Sequence, residues 1–163
     1  MDCRPFNYHT FKKFCLLLIL LGYNLVWGQD HQPDFSMTME EFQNRALKSK
    51  EEVWVVDFWA TWCRPCVMAI PHMKELHSTY APKGVRFISV SWDQNERQWQ
   101  EGLIRFQMPW QHLIVTKTEV AWFEKSFPHK GIPTAFVVSR SGKSKRVNDV
   151  YTLDKAIDKA LAK

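Results

Sequence analysis

Cysteine and glycine are scarce in this 163-residue chain, with four of the first and six of the second. Cys3 and Cys15 fall in the first 28 residues, so beyond them only Cys63 and Cys66 remain. Two cysteines three positions apart cannot build a framework of structural disulfides. The scattered glycines form no Gly-rich loop that could cradle a phosphate. Long hydrophobic runs are missing as well. The best, Phe14 to Leu21, falls short of the ~20 residues that span a bilayer. Charge of one sign is only slightly in excess, with 22 Lys and Arg against 17 Asp and Glu. That balance is too mild and too scattered for a nucleic-acid surface. There is no Ser-His-Asp pattern with supporting context, no carboxylate pair suited to hydrolysis, no internal repeat and no low-complexity tract.

What the chain does have is aromatic bulk, with eight Trp and eleven Phe. Such a composition implies a core, or a binding face, built largely on rings. The length and the 45% hydrophobic content suit one globular domain with a real core. Residues 1–28 read as an export signal. Arg4, Lys12 and Lys13 precede the short apolar run, and Val26 and Gly28 are modest and small at the positions that matter for cleavage before Gln29. An uncleaved membrane anchor is the alternative. Lys13 and Phe14 stand where a lipid-modified Cys15 would need small residues. Residues 29–37 then read as an extended leader and 38–163 as the domain.

The densest information lies in Val53–Cys66. Val53 to Trp59 is a β-branched and aromatic run, which predicts a buried strand. Cys63-Arg64-Pro65-Cys66 follows it and opens a helical stretch to about Tyr80. Two cysteines two residues apart at a strand-to-helix junction read as a redox dithiol. At a helix N-terminus the free N–H groups and the macrodipole favour a thiolate, the form that attacks disulfides. Cys63 is therefore the expected nucleophile, exposed at the helix start, and Cys66 the resolving thiol. Arg64 adds a cation near the thiolate. Asp57 is a carboxylate within an apolar strand, where burial should raise its pKa. Its bland alternative is a strand-end residue facing water.

The rest of the chain alternates in type. Thr38 and Glu41 fit a capping box ahead of a helical face of Phe42, Ala46 and Leu47. Pro71 inside the cysteine helix is expected to kink it. Val85–Trp92 reads as a central strand, and Asp93-Gln94-Asn95 as the cap of a helix whose Trp99, Leu103 and Phe106 form one stripe. That stripe reads as core packing, with a partner groove as the lesser option. A short strand at 112–115, a short helix at 120–127, a strand from Thr134 to Ser139, a turn at 140–143 and an edge strand at 144–148 follow. Lys145 and Arg146 would guard that edge. Thr152 is the expected cap of a last helix carrying Leu153, Ile157 and Leu161. This order predicts an α/β fold, a mixed sheet with helices on both faces.

Two of these segments also carry a resemblance. Val56-Asp57-Phe58-Trp59-Ala60, Trp62-Cys63, Pro65-Cys66 and Pro71 resemble the thioredoxin active-site segment, and Gly131-Ile132-Pro133-Thr134 resembles its cis-proline loop. The export signal and the helix–strand insertion at 93–115 narrow the resemblance to exported thiol–disulfide oxidoreductases of the TlpA and ResA type. One departure is Ala69, where members of that group often carry glutamate. The resemblance implies a thioredoxin fold over about 38–163 and a cis bond before Pro133. It also implies an Ile132 backbone that pairs with an extended substrate, and an Asp57 that moves the Cys66 proton. Pro65 in the second spacer position resembles the reducing members. No cofactor is implied beyond the cysteine pair. The implied partners are protein thiols and disulfides, and a membrane electron donor if the chain is a reductase. The implied location is outside the cytoplasm, in a bacterial periplasm.

Other readings stay open on the residues alone. The chemistry could be that of an oxidase or isomerase. Trp59 and Trp62 could serve a non-catalytic binding module, or one of them could be core. Cys63, Cys66, His72 and His77 superficially offer a zinc site, although five residues between Cys66 and His72 are too few for the usual ~12-residue finger spacing. His129 and Lys130 read as solvated loop residues.

Overall fold

Strand β1, Val53–Trp59, is buried along its whole length and occupies the middle of a five-stranded sheet. The computed structural model describes residues 36–48 and 50–162. The export segment expected over 1–28, and the leader up to residue 35, lie outside the described residues. The sheet order is β3-β2-β1-β4-β5, with β2 at Val85–Ser91, β3 at Gln111–Ile114, β4 at Thr134–Val138 and β5 at Ser144–Val147. β1 runs parallel to β2, and β2 parallel to β3. β4 is antiparallel to both β1 and β5. This is the expected mixed sheet, with β1 in the middle and β2 interior beside it.

Alternation along β1 divides the core into two. Val53, Val55 and Trp59 face one layer, with Ile70, Met73 and Leu76 of helix α2 (Arg64–Tyr80), Trp99 of α3 (Glu96–Phe106) and Leu153 and Ile157 of α5 (Leu153–Leu161). Trp54, Val56 and Phe58 face the other, with Phe42 of α1 (Met39–Phe42) and Phe123 of α4 (Val120–Ser126). The second layer is a ring cluster. Phe58 lies within 5.7–5.9 Å of Phe123, Phe127 and Phe136, centroid to centroid. Burying each such ring removes enough apolar area to be worth about 2–3 kcal/mol.

Local signals explain most element ends. Thr38 and Glu41 form the expected reciprocal cap, with the Glu41 N–H donating to Thr38 Oγ1 and the Thr38 N–H to Glu41 Oε2. α1 then continues as a π-helical turn, Gln43–Lys48. α2 passes through Pro71, which removes one backbone donor without ending the helix. After the turn Ala81–Lys83, Gly84 at φ +83° closes it. Asn95 caps α3 by accepting from the Gln98 N–H. Asn95 closes the expected Asp93-Gln94-Asn95 cap, while the Asp93 carboxylate is engaged elsewhere, by Thr61 and Ser91. One expected cap differs. Thr152 makes no side-chain cap on α5. Its hydroxyl donates back to the Asp149 carbonyl within a 3₁₀ turn, Val150–Thr152.

Both sheet edges are modified. Lys145 and Arg146 are exposed on β5, as expected for a guarded edge, and Arg146 Nη1 donates to the Pro128 carbonyl. On the β3 side Ser36 forms a parallel bridge with His112, and the Met37 N–H donates to the His112 carbonyl.

Candidate active site

The cysteines are placed by the way β1 ends. The Cys63 N–H donates to the Ala60 carbonyl at 3.1 Å, closing a turn over Ala60–Cys63, and Cys63 becomes the N-cap of α2. Pro65 lies in the first turn of that helix, where its missing N–H is one that would have no helical partner. Cys63 and Cys66 are joined in a disulfide, with Cα atoms 5.3 Å apart. The Cys66 N–H points at Cys63 Sγ, 3.3 Å away. The helix thus offers one free donor, the Cys66 N–H, to the sulfur that must carry negative charge after reduction.

Cys63 was expected to be exposed. In the disulfide form it is only 5% accessible and belongs to the α2-side core. What stands out in solvent is its neighbour Trp62, at 65%. Arg64 and Pro65 are exposed beside it. Trp59 is fully buried, so of the two tryptophans offered as flanking residues one is core.

The loop at Pro133 arrives from the other side of β1. Thr134 pairs with Phe58, near the end of β1, so Pro133 sits at the same end of the sheet as the cysteines. The Ile132–Pro133 bond is cis. Thr134 Oγ1 donates to the Gly131 carbonyl at 2.7 Å and holds the loop. Ile132 is half-buried and packs against both core layers. His129 is not a free loop residue. It is half-buried, stacked on Phe58 at 4.8 Å, and its Nδ1 lies 2.8 Å from the Phe127 carbonyl.

Asp57 faces the same layer as Val55 and Trp59, the layer that contains Cys66. It is buried, between Ser89 on β2 and Ala135 on β4. Burial pushes its carboxyl up to about 7, while a hydrogen bond from Ser89 Oγ, 3.3 Å from Oδ2, works the other way. A water-facing strand end is thereby excluded.

Two groups of residues escaped the sequence reading. Asp93, 3% accessible, accepts from the Thr61 N–H at 3.0 Å, from Thr61 Oγ1 at 2.7 Å and from Ser91 Oγ at 2.7 Å. It grips the turn that leads into Cys63. Trp110 Nε1–H donates to Ser89 Oγ at 2.8 Å, behind Asp57. The available signal was that Ser89 and Ser91 continue the inward face of Val85 and Phe87. Two hydroxyls on a buried face need partners.

The histidines of the zinc alternative are dispersed. His72 packs on Tyr151 and His77 on Phe87 and Trp110. Among the described residues no group of three or more His, Cys, Asp or Glu is placed to hold a metal ion.

A thioredoxin-like family model matches residues 51–144, from just before β1 to the start of β5. The chain belongs to the thioredoxin-like family. Its sheet, its disulfide at a helix start and its cis-proline loop are those of a thioredoxin-like thiol–disulfide oxidoreductase. Thiol-disulfide oxidoreductase ResA of Geobacillus thermodenitrificans is 26% identical over 143 residues, covering 81% of this chain and 80% of that protein. ResA of Bacillus cereus is 30% identical over 112 residues, covering 68% of this chain and 63% of that protein, so this chain spans just under two thirds of it. A solved thiol:disulfide interchange protein of Chlorobium tepidum TLS is 25% identical, with a TM-score of 0.61 over 69% of this chain and 81% of its own.

Proposed function

We propose that this thioredoxin-like chain is an exported dithiol reductase of protein disulfides, with Cys63 as nucleophile and Cys66 as resolving thiol. The observation that carries it is the Cys63–Cys66 disulfide at the N-cap of α2, with the Cys66 N–H aimed at Cys63 Sγ. In the reduced protein the Cys63 thiolate attacks one sulfur of a substrate disulfide. A Cys63–substrate bond forms, the substrate disulfide breaks, and the leaving sulfur takes a proton. Cys66 then gives its proton to the Asp57 carboxylate and attacks Cys63 Sγ. The Cys63–Cys66 bond forms, and the second substrate sulfur leaves as a thiol. The dithiol has lost two electrons and the substrate disulfide has gained them. No cofactor beyond the cysteine pair enters this sequence.

The exposed Trp62 offers flat apolar contact next to the sulfur, and Ile132 offers backbone to an extended substrate segment. Arg64 places a cation at the helix start. Pro65 in the spacer, like the resemblance to reducing members, supports the reducing direction. Electrons would come from a membrane donor, and residues 1–28 would carry the chain out of the cytoplasm. Among the described residues no helix is long and apolar enough to cross a membrane.

Equilibrating the protein against glutathione or dithiothreitol tests the direction. A potential near the reducing thioredoxins, about −270 mV, is expected. One near the strong oxidants, about −120 mV, would make it a disulfide donor and overturn the reductase reading.

A further inference from the structure

We propose that Ser89 and Trp110 are positioning residues for Asp57, holding its carboxyl as a hydrogen-bond acceptor through a chain from the indole N–H to the serine hydroxyl to Oδ2, and so controlling its readiness to take the Cys66 proton. The second half rests on the role given to Asp57 above.

The direction of the chain follows from donor chemistry. Trp110 Nε1 is only a donor, and it lies 2.8 Å from Ser89 Oγ. Ser89 must therefore accept from it, and its single hydrogen is left for Asp57 Oδ2 at 3.3 Å. Ser89 is wholly inaccessible, so no bulk water competes for that hydrogen. Register puts the hydroxyl there, because Ser89 is the β2 residue directly beside Asp57. The indole comes from the residue before β3, whose Gln111 pairs with Ile88, one position before Ser89. Trp110 is held in turn among Phe87 and His77, with ring centroids 6.1 and 5.4 Å away. The bond is not a default of buried indoles in this molecule. Trp54, Trp59 and Trp99 leave their Nε1–H without a protein partner.

The chain works against burial. Burial favours the neutral acid and carries Asp57 up to about 7, and the Ser89 bond opposes it by favouring the carboxylate. The elements packed against this layer carry further titratable and charged groups. Cys63 caps α2, which holds Arg64, Cys66, His72, Lys74, Glu75, His77 and Tyr80. α3 holds Glu96, Arg97, Glu101 and Arg105, α5 holds Asp154, Lys155, Asp158 and Lys159, and Asp93 follows β2. Cys63 and Cys66 are in the disulfide, Tyr80 donates to Asp158, and Asp93 is held by Thr61 and Ser91. The shift of Asp57 itself comes from burial and the Ser89 bond. The two side chains behind it are thus the available control.

The experiment follows the Asp57 carboxyl by carbon-13 NMR titration of the oxidised full chain, with its resonance identified by loss in Asp57→Ala. In Ser89→Ala the midpoint should move to a pH roughly one higher, as expected for losing a bond to a charged acceptor. Trp110→Phe should move it the same way by less, and Ser89→Thr should restore it. The pH profile of mixed-disulfide resolution by Cys66 should move in parallel. Unchanged midpoints in both Ser89→Ala and Trp110→Phe would overturn the chain. A midpoint that moves only in Ser89→Ala would remove Trp110 from it. Midpoints that move while the resolution profile stays fixed would overturn the catalytic half, and with it the role of Asp57, while leaving the hydrogen-bond chain standing.

Discussion

Thr61 is the residue on which the geometry of the cysteines turns. Its N–H and hydroxyl are both taken by Asp93, and its methyl faces the backbone of Gly102 on α3. A Cβ at Gly102 would stand 2.5 Å from Thr61 Cγ2. The side chain cannot swing clear without giving up the 2.7 Å bond to Asp93. Alanine in a helix interior is otherwise better than glycine by about 1 kcal/mol, whereas overpacking costs about 1–3 kcal/mol. Gly102→Ala should therefore destabilise the protein and displace the turn before Cys63, shifting the reduction potential. Thr61→Ser keeps the hydroxyl and removes the methyl, so Gly102→Ala in that background should become neutral or stabilising. Urea unfolding of the four proteins in the cycle decides it. Equal effects of Gly102→Ala in both backgrounds would show that Thr61 yields freely. Sequence pattern alone could not mark Gly102, because its reason is a contact with a residue 41 positions away.

At the scale of elements, most of the fold was legible. β1 stands at the predicted Val53–Trp59, and the Thr38 cap and the Asn95 cap are where side-chain chemistry puts them. Hydrophobic alternation and caps are local, so a single sequence displays them. Thr152 stands at the N-cap of α5 as expected, yet its hydroxyl bonds the Asp149 carbonyl instead of the helix. A short polar side chain near a helix start is a local signal, and a tertiary or neighbouring turn partner can claim it instead. The exposure of Cys63 was misjudged for a related reason: its place at a helix start is a local signal, whereas in the disulfide it is packed within the α2-side core. The two core layers separate function from bulk stability. Phe42 is fully buried, stacked on Phe123 at 5.8 Å, on the face away from Asp57 and Cys66. Phe42→Leu should lower stability by about 1 kcal/mol in urea unfolding and leave the reduction potential unchanged. A shifted potential would mean that the sheet transmits packing changes between its faces.

For the molecule as a whole, two buried groups pull the pH dependence of stability in opposite senses. Asp57 is raised from 3.8 to about 7, so between those values the folded state holds a proton that the unfolded state has lost. Its contribution falls as pH rises through that window. His112 is lowered from 6.5 to about 4, chiefly by burial beside β2, with the Met108 carbonyl 3.1 Å from Nε2 partly opposing. Between about 4 and 6.5 the unfolded state holds the extra proton, so the His112 contribution rises with pH. Each effect is on the order of 3–4 kcal/mol across its window. From about pH 4 to 6.5 the two slopes cancel, and these groups together leave stability nearly flat. Removing either should unmask the other. Asp57→Asn should give stability that climbs from pH 4 to 6.5, and His112→Gln stability that declines over the same range and on to about pH 7. Chemical denaturation at half-unit steps of pH reads both. Two variant curves parallel to the wild type would show that neither group carries its shift into folding. One parallel curve would single out the group that does not, and if that group were Asp57, the carboxyl proposed to receive the Cys66 proton would titrate too low to do so at neutral pH.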